Sequence, residues 1–146
     1  MTIWKREVEL SRLNEFSADC SVAHLGIEFC AFDANSLSAR MPVDARTKQP
    51  FGLLHGGASV LLAETIGSTA ALLTLPAEWM AVGVEVNANH LRPVLEGYVR
   101  GTASPLHIGR STQVWEIRIC NEAGELCCVS RLTLAVVPVK RHVRPT

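Results

Sequence analysis

The chain has 146 residues, with fourteen Lys and Arg against fourteen Asp and Glu, which suits one domain around a single core and leaves no room for a separate regulatory domain. Zero net charge excludes the overall basic field that nucleic acid or an anionic membrane surface calls for, so any anionic ligand must meet a local basic patch. The five cysteines, Cys20, Cys30, Cys120, Cys127 and Cys128, are odd in number and include no C-x-x-C pair, the pattern of reduced, mostly buried thiols in a cytoplasmic protein.

The opening M-T-I-W-K-R-E-V-E-L lacks an apolar stretch followed by a small-residue cleavage site. Positions 10–16 form a short, weakly signalled helix. Two strands are expected at 25–32 and 36–43, joined by an F-D-A-N turn; in the second, Leu37, Ala39, Met41 and Val43 alternate with Ser38 and Arg40. D-A-R-T-K-Q-P-F-G is a polar loop. A run from Gly57 to Leu73, uncharged but for Glu64, holds much Ala, Leu and Ile and no Pro, long enough for four helical turns, with Pro76 beyond its end. It is the one run of membrane-like length, and its Gly, Ser, Thr and Glu content favours a buried helix over a span. Four further strands are expected at 80–91, 98–106, 112–120 and 126–137, with N-E-A-G turning between the last two. Residues 1–138 form the domain, and the basic, Pro-bearing tail 139–146 is expected to fray.

This order, strands then one long helix then four strands on short turns, predicts an α+β fold with an antiparallel sheet laid against a single helix. That helix is apolar nearly all round, so its outer face needs a cover, and a second copy of the chain is the economical one.

From Gln49 to Ala77, Glu64 is the only Asp, Glu, Lys or Arg. A lone carboxylate in an apolar run costs several kcal/mol to bury ionised unless something pairs with it or uses it. Gly56, Gly57, Ala58 and Ser59 stand where the helix begins, with unpaired N–H groups and the positive end of the macrodipole, a setting suited to a developing oxyanion. Ser68 follows Glu64 by one turn, on the same face, within reach of the carboxylate or of a water beside it. Together they make a minimal kit for attack on a carbonyl carbon. The plainer readings are a solvated or paired glutamate, a structural His55, glycines that merely permit a tight turn, and an ordinary loop residue at Gln49.

The segment Q-P-F-G-L-L-H-G-G-A-S-V-L-L-A-E-T-I-G-S, with N-A-N-H-L-R-P and P-L-H-I-G-R-S-T further on, resembles the hotdog-fold acyl-CoA thioesterases. The branch it is most similar to contains the Arthrobacter-type 4-hydroxybenzoyl-CoA thioesterase, the 1,4-dihydroxy-2-naphthoyl-CoA thioesterase and the proofreading thioesterase of enterobactin synthesis. The likeness runs from I-W-K-R to the final strand. It implies a hotdog fold, a sheet wrapped around one long helix. It also implies that Glu64 is the catalytic carboxylate, Gly56 the oxyanion donor, Gln49 and His55 the side chains near the thioester carbonyl, and Ser68 the positioning hydroxyl. The resemblance further implies a site shared across a dimer, with Glu64 of one subunit facing Gln49, His55 and Gly56 of the other, and a dimer of dimers overall. Coenzyme A would fall on Gly83, on His90, Leu91, Arg92 and Pro93, and on His107, Ile108, Gly109, Arg110, Ser111 and Thr112. Arg92 and Arg110 suit phosphate oxygens, and Gly109 lets backbone N–H groups approach an anion; the plainer reading of both arginines is a solvated strand end.

The expected reaction is hydrolysis of an acyl-CoA thioester, with an aromatic acyl group. Glu64 acts either as nucleophile, through a mixed anhydride, or as general base on water. No cofactor or metal is called for, coenzyme A being part of the substrate; no His, Cys and carboxylate cluster stands at ligand spacing. The rival readings are a thioesterase acting on a carrier protein, a hotdog hydratase or dehydratase, and a non-catalytic acyl-CoA binding module, which would have no need of Glu64.

Overall fold

The computed structural model describes residues 1–140. Its elements run α1 (Leu10–Phe16), α2 (Ser21–His24), β1 (Glu28–Phe32), β2 (Leu37–Pro42), α3 (Gly56–Leu73), β3 (Trp79–His90), β4 (Tyr98–Ile108), β5 (Thr112–Asn121) and β6 (Leu126–Pro138). The six strands form one antiparallel sheet in the order β1-β2-β4-β5-β6-β3, wrapped around α3. The antiparallel sheet against one long helix is what the element order predicts, and its wrapping around that helix is the hotdog arrangement that the resemblance implies.

Close approach of helix and sheet explains two glycines. A Cβ at Gly67 would lie 2.7 Å from Leu132 Cδ2, and one at Gly101 would lie 2.6 Å from Ile66 Cδ1. The backbone is bare on α3 at one contact and on β4 at the other, so Ile66, Ile117 and Leu132 can fill the interface with no exposure to water. Burial of three such side chains contributes roughly 1.5–3 kcal/mol each. By length and composition α3 would also pass for a membrane span, yet half of it is buried within the sheet.

A polar chain runs through the interior, and it is fully paired. Buried Trp115 donates from Nε1 to Gln113 Oε1 at 2.9 Å, Gln113 Nε2 donates to Thr74 Oγ1 at 2.9 Å, and Thr74 donates on to the Ala71 carbonyl at 2.7 Å. Pairing removes the cost of burying these groups and ties β5 to the C-terminal end of α3. The extended N-terminal segment completes that end. Lys5 and Arg6 N–H groups donate to the Leu73 carbonyl, and the Arg6 guanidinium reaches the carbonyls of Leu75, Pro76 and Trp79 at 2.8–3.0 Å. The Leu73 and Leu75 carbonyls stand at the C-terminal end of α3, where acceptors lack intrahelical partners and a cation also meets the negative end of the dipole. Trp4 stacks on Trp115 with centroids 6.5 Å apart.

Several sequence expectations need correction. The strand expected from position 25 begins at Glu28, because α2 occupies Ser21–His24 and Gly26 turns the chain with φ +72. β4 continues to Ile108, so His107 and Ile108 lie in a strand and the turn is confined to 109–111. Ser38, expected to face solvent, is buried and hydrogen-bonds Thr102 Oγ1 at 2.8 Å. Cys127 and Cys128 are buried, while Cys20 is exposed. Part of the cover of α3 comes from the chain itself: Phe16, Ser17, Cys20 and Val22 stand over Leu61 and Thr65. Of the tail, Val139 is tied back through its N–H to the Glu78 carbonyl, and the expectation for 141–146 lies outside the described residues.

Candidate active site

The loop before α3 is a small closed hairpin. Lys48 bridges Leu54, Gln49 N–H donates to the Leu53 carbonyl, and Gly52 takes φ +83, a conformation that favours glycine. Gln49 Oε1 accepts from the Phe51 N–H. With its oxygen so engaged, the side-chain amide presents its NH₂ as a free donor.

His55 is the N-cap of α3, and its Nδ1 accepts from Gly57 N–H at 2.8 Å. That bond leaves the proton of the neutral ring on Nε2 of this exposed residue. It also consumes the Gly57 donor. Ala58 and Ser59 N–H groups close on the His55 carbonyl. Gly56 N–H, in the first turn and without an intrahelical acceptor, has no partner among the described residues. The helix start therefore offers one aimed donor where the macrodipole is positive.

The rings on either side explain why both positions are glycine. A Cβ on Gly57 would lie 3.0 Å from His55 Nδ1, and one on Gly56 would lie 2.9 Å from His90 Nε2. Gln49, Gly56, Ser59, His90 and Arg92 together wall a cleft of about 340 Å³.

Glu64 stands elsewhere. It lines a separate cleft of about 420 Å³ with Ser68, Thr65, Phe16, Cys20 and Val22. Its Oε1 lies against the backbone of β3, where a Cβ on Gly83 would come within 2.6 Å. Gly83 adjoins a register shift in the β3–β6 pairing. Ser68 shares the cleft, but no hydrogen bond joins it to Glu64 among the described residues. Within one chain, then, the Glu64 carboxylate and the helix start at Gly56 open into different clefts.

The residues assigned to coenzyme A likewise divide. His90 pairs with Cys128 and Thr112 with Ala135, seven residues apart along β6, or roughly 23 Å. Arg92 at one end donates to the Leu126 carbonyl at 3.1 Å and lies 3.4 Å from Glu125 Oε2. Arg110 at the other end lines a cleft of about 480 Å³ with Lys5, Trp79, Ile108 and Gly109. The two patches do not meet in one chain.

Two features of the surroundings escaped the sequence. Phe16 at the end of α1, Cys20 in the link before α2, and Val22 on α2, which is too short to carry a periodic signal, reach the Glu64 cleft. Lys5 and Trp79 flank Arg110 from segments far apart in sequence.

Residues 51–128, which carry the helix start, Glu64 and the β3 strand, match the family model of the thioesterase superfamily. The chain belongs to that superfamily. Among its relatives, the 1,4-dihydroxy-2-naphthoyl-CoA hydrolase of Escherichia coli is 54% identical over 135 residues, 92% of this chain and 99% of the relative. The proofreading thioesterase EntH of Klebsiella pneumoniae is 54% identical over 134 residues, 92% of this chain and 98% of the relative. The crystal structure of a thioesterase from Haemophilus influenzae superposes with a TM-score of 0.95 at 51% identity, covering 98% of this chain and 100% of the other. Fold and family thus agree with the expectation from the H-G-G and Glu64 spacing.

Proposed function

We propose that this thioesterase hydrolyses aryl-coenzyme A thioesters to the free acid and CoA, at a site completed by two copies of the chain. The observation that carries the composite site is the separation of Glu64 from Gly56 and Gln49 into different clefts of one chain.

β3 is the edge strand that would bring them together. Twelve residues long, it pairs on one side only, with β6, and Val84 on it is 66% exposed. An edge of that length and character is ordinarily covered by pairing. Antiparallel pairing of two β3 edges with Gly83 opposite the partner subunit's His90 draws the Glu64 cleft of one copy towards the Gly56 cleft of the other. The same register carries Arg92 of one copy towards the partner subunit's Arg110, joining the two coenzyme A patches. The assembly is a dimer at least, and a dimer of dimers by family likeness.

In such a site Gly56 N–H and the Gln49 amide hold the thioester oxygen. As general base, Glu64 takes a proton from water while the water oxygen bonds to the acyl carbon; the oxyanion collapses, the C–S bond breaks and the thiolate leaves with the electron pair. As nucleophile, Glu64 bonds to the acyl carbon directly, the thiolate leaves, and water then cleaves the anhydride. One such N–H donor contributes about 3–4 kcal/mol to the transition state. An aromatic acyl group fits the Glu64 cleft, where Phe16, Val22 and Leu61 supply apolar walls. Kinship with a proofreading thioesterase supports a second reading, an acyl or aryl carrier protein as donor of the same thioester. Thiol release measured over aryl-, short-chain and long-chain acyl-CoA, with the aryl-loaded carrier protein beside them, tests both. Turnover of the aryl-CoA esters above the alkyl ones is the expected result, and no thiol release from any of them overturns the reading.

A further inference from the structure

The geometry points to His90 as a further hydrogen-bond donor to the thioester oxyanion, beside Gly56 N–H and the Gln49 amide, rather than as a contact to the nucleotide of coenzyme A. The inference rests on the thioesterase reading with Gly56 as oxyanion donor. His90 closes β3 on the face that meets α3, and its ring lies on the first residue of that helix: a Cβ on Gly56 would sit 2.9 Å from Nε2, 3.2 Å from Cε1 and 3.4 Å from Cδ2. Nε2 is thus the ring atom nearest Gly56. An amide nitrogen and a Cβ on one residue stand about 2.5 Å apart, so His90 Nε2 lies within about 5.4 Å of Gly56 N, a span that one oxygen bridges at ordinary hydrogen-bond distance from each.

Neither ring nitrogen of His90 has a partner among the described residues, and ring, Gly56 and Gln49 open into the same cleft. Either the cationic ring or the neutral ring protonated on Nε2 donates there. Arg92, two residues on, is the phosphate-type group of this end, and it is turned to Glu125 and the Leu126 carbonyl. A donor to the oxygen that gains charge acts on kcat, whereas a contact to the nucleotide is made equally in ground and transition states and acts on KM.

The test compares an aryl-CoA with the same acyl group on N-acetylcysteamine, which keeps the thioester and lacks the nucleotide. His90→Leu should lower kcat about 100-fold on both esters, the lower range for losing an oxyanion donor, with KM little changed. His90→Gln, whose amide nitrogen reaches the place of Nε2, should recover at least a tenfold part of that loss, and His90→Phe, which fills the space without a donor, should not. A loss confined to the CoA ester and expressed in KM overturns the assignment, as does recovery by Phe equal to that by Gln, which would make the ring mere packing against Gly56. A variant that fails to fold, seen by circular dichroism, leaves the Gln and Phe pair to decide. Wild-type enzyme idle on both esters overturns the functional reading itself, and His90's part falls with it.

Discussion

Glu64 and Gly83 are in contact across the helix–sheet interface, with the carboxylate Oε1 where a side chain at position 83 would have to be. The resemblance assigns Gly83 to coenzyme A; its contact gives it a second reason to be glycine, which is room for the carboxylate. Gly83→Ala should therefore displace Glu64 and lower kcat about 10- to 100-fold, since misplacement near 1 Å costs on that order, while KM for the CoA ester changes little. Steady-state kinetics on one aryl-CoA checks this, and a change in KM alone would return Gly83 to the ligand.

If each site takes Glu64 from one subunit and Gly56 and Gln49 from the other, two inactive variants should complement. Glu64→Gln and Gln49→Ala proteins, unfolded together and refolded as a mixture, would form heterodimers with one intact site in two. Random association then returns about a quarter of wild-type activity. Activity no higher than the two parents would place all the groups in one chain.

Arg92→Ala and Arg110→Ala should each raise KM for a CoA ester about tenfold with kcat nearly unchanged, because phosphate contacts are made in ground and transition states alike. Both wild-type and variant KM should rise with salt, the wild type more steeply. The two arginines lie at opposite ends of β6, so one nucleotide meets both only across two subunits, and a double variant additive in free energy fits that arrangement.

The thiols should separate by reactivity. Burial holds Cys127 and Cys128 above the ordinary 9.0, and the thiolate is the reacting form. A maleimide should modify exposed Cys20 at neutral pH and leave Cys127 and Cys128 until the chain unfolds. Because Cys20 lines the Glu64 cleft, that adduct should slow turnover. For the two buried thiols the folded value is the raised one, so their contribution to stability is complete below pH 9.0 and is lost as pH climbs through the folded values. Mass spectrometry of labelled native and denatured protein gives the order of reaction.

The sheet and the central helix were legible because each rests on a long local signal, period-two strands and an apolar run with a single charge, ended by Pro76. Glu64 was legible by isolation, and Gly56 by its place at a helix start. α2 was not, since four residues carry no period and the same apolar positions serve a strand. Nor was the contact of His90 with Gly56, 34 positions apart, which exists only once β3 is laid along α3. The division of the coenzyme A residues between two ends of β6 depends on strand register, which periodicity does not convey.

The central claim is that the Glu64 carboxylate does chemistry. Glu64→Gln keeps the volume and removes the basicity, so kcat and the thermal midpoint measured on that one variant test it most directly. The predicted result is a fall in kcat of at least about 100-fold, the lower range for losing acid or base catalysis, with the midpoint held or raised because the neutral amide carries less desolvation cost. A stable Gln variant that turns over aryl-CoA at the wild-type rate would contradict it and leave Glu64 a structural charge.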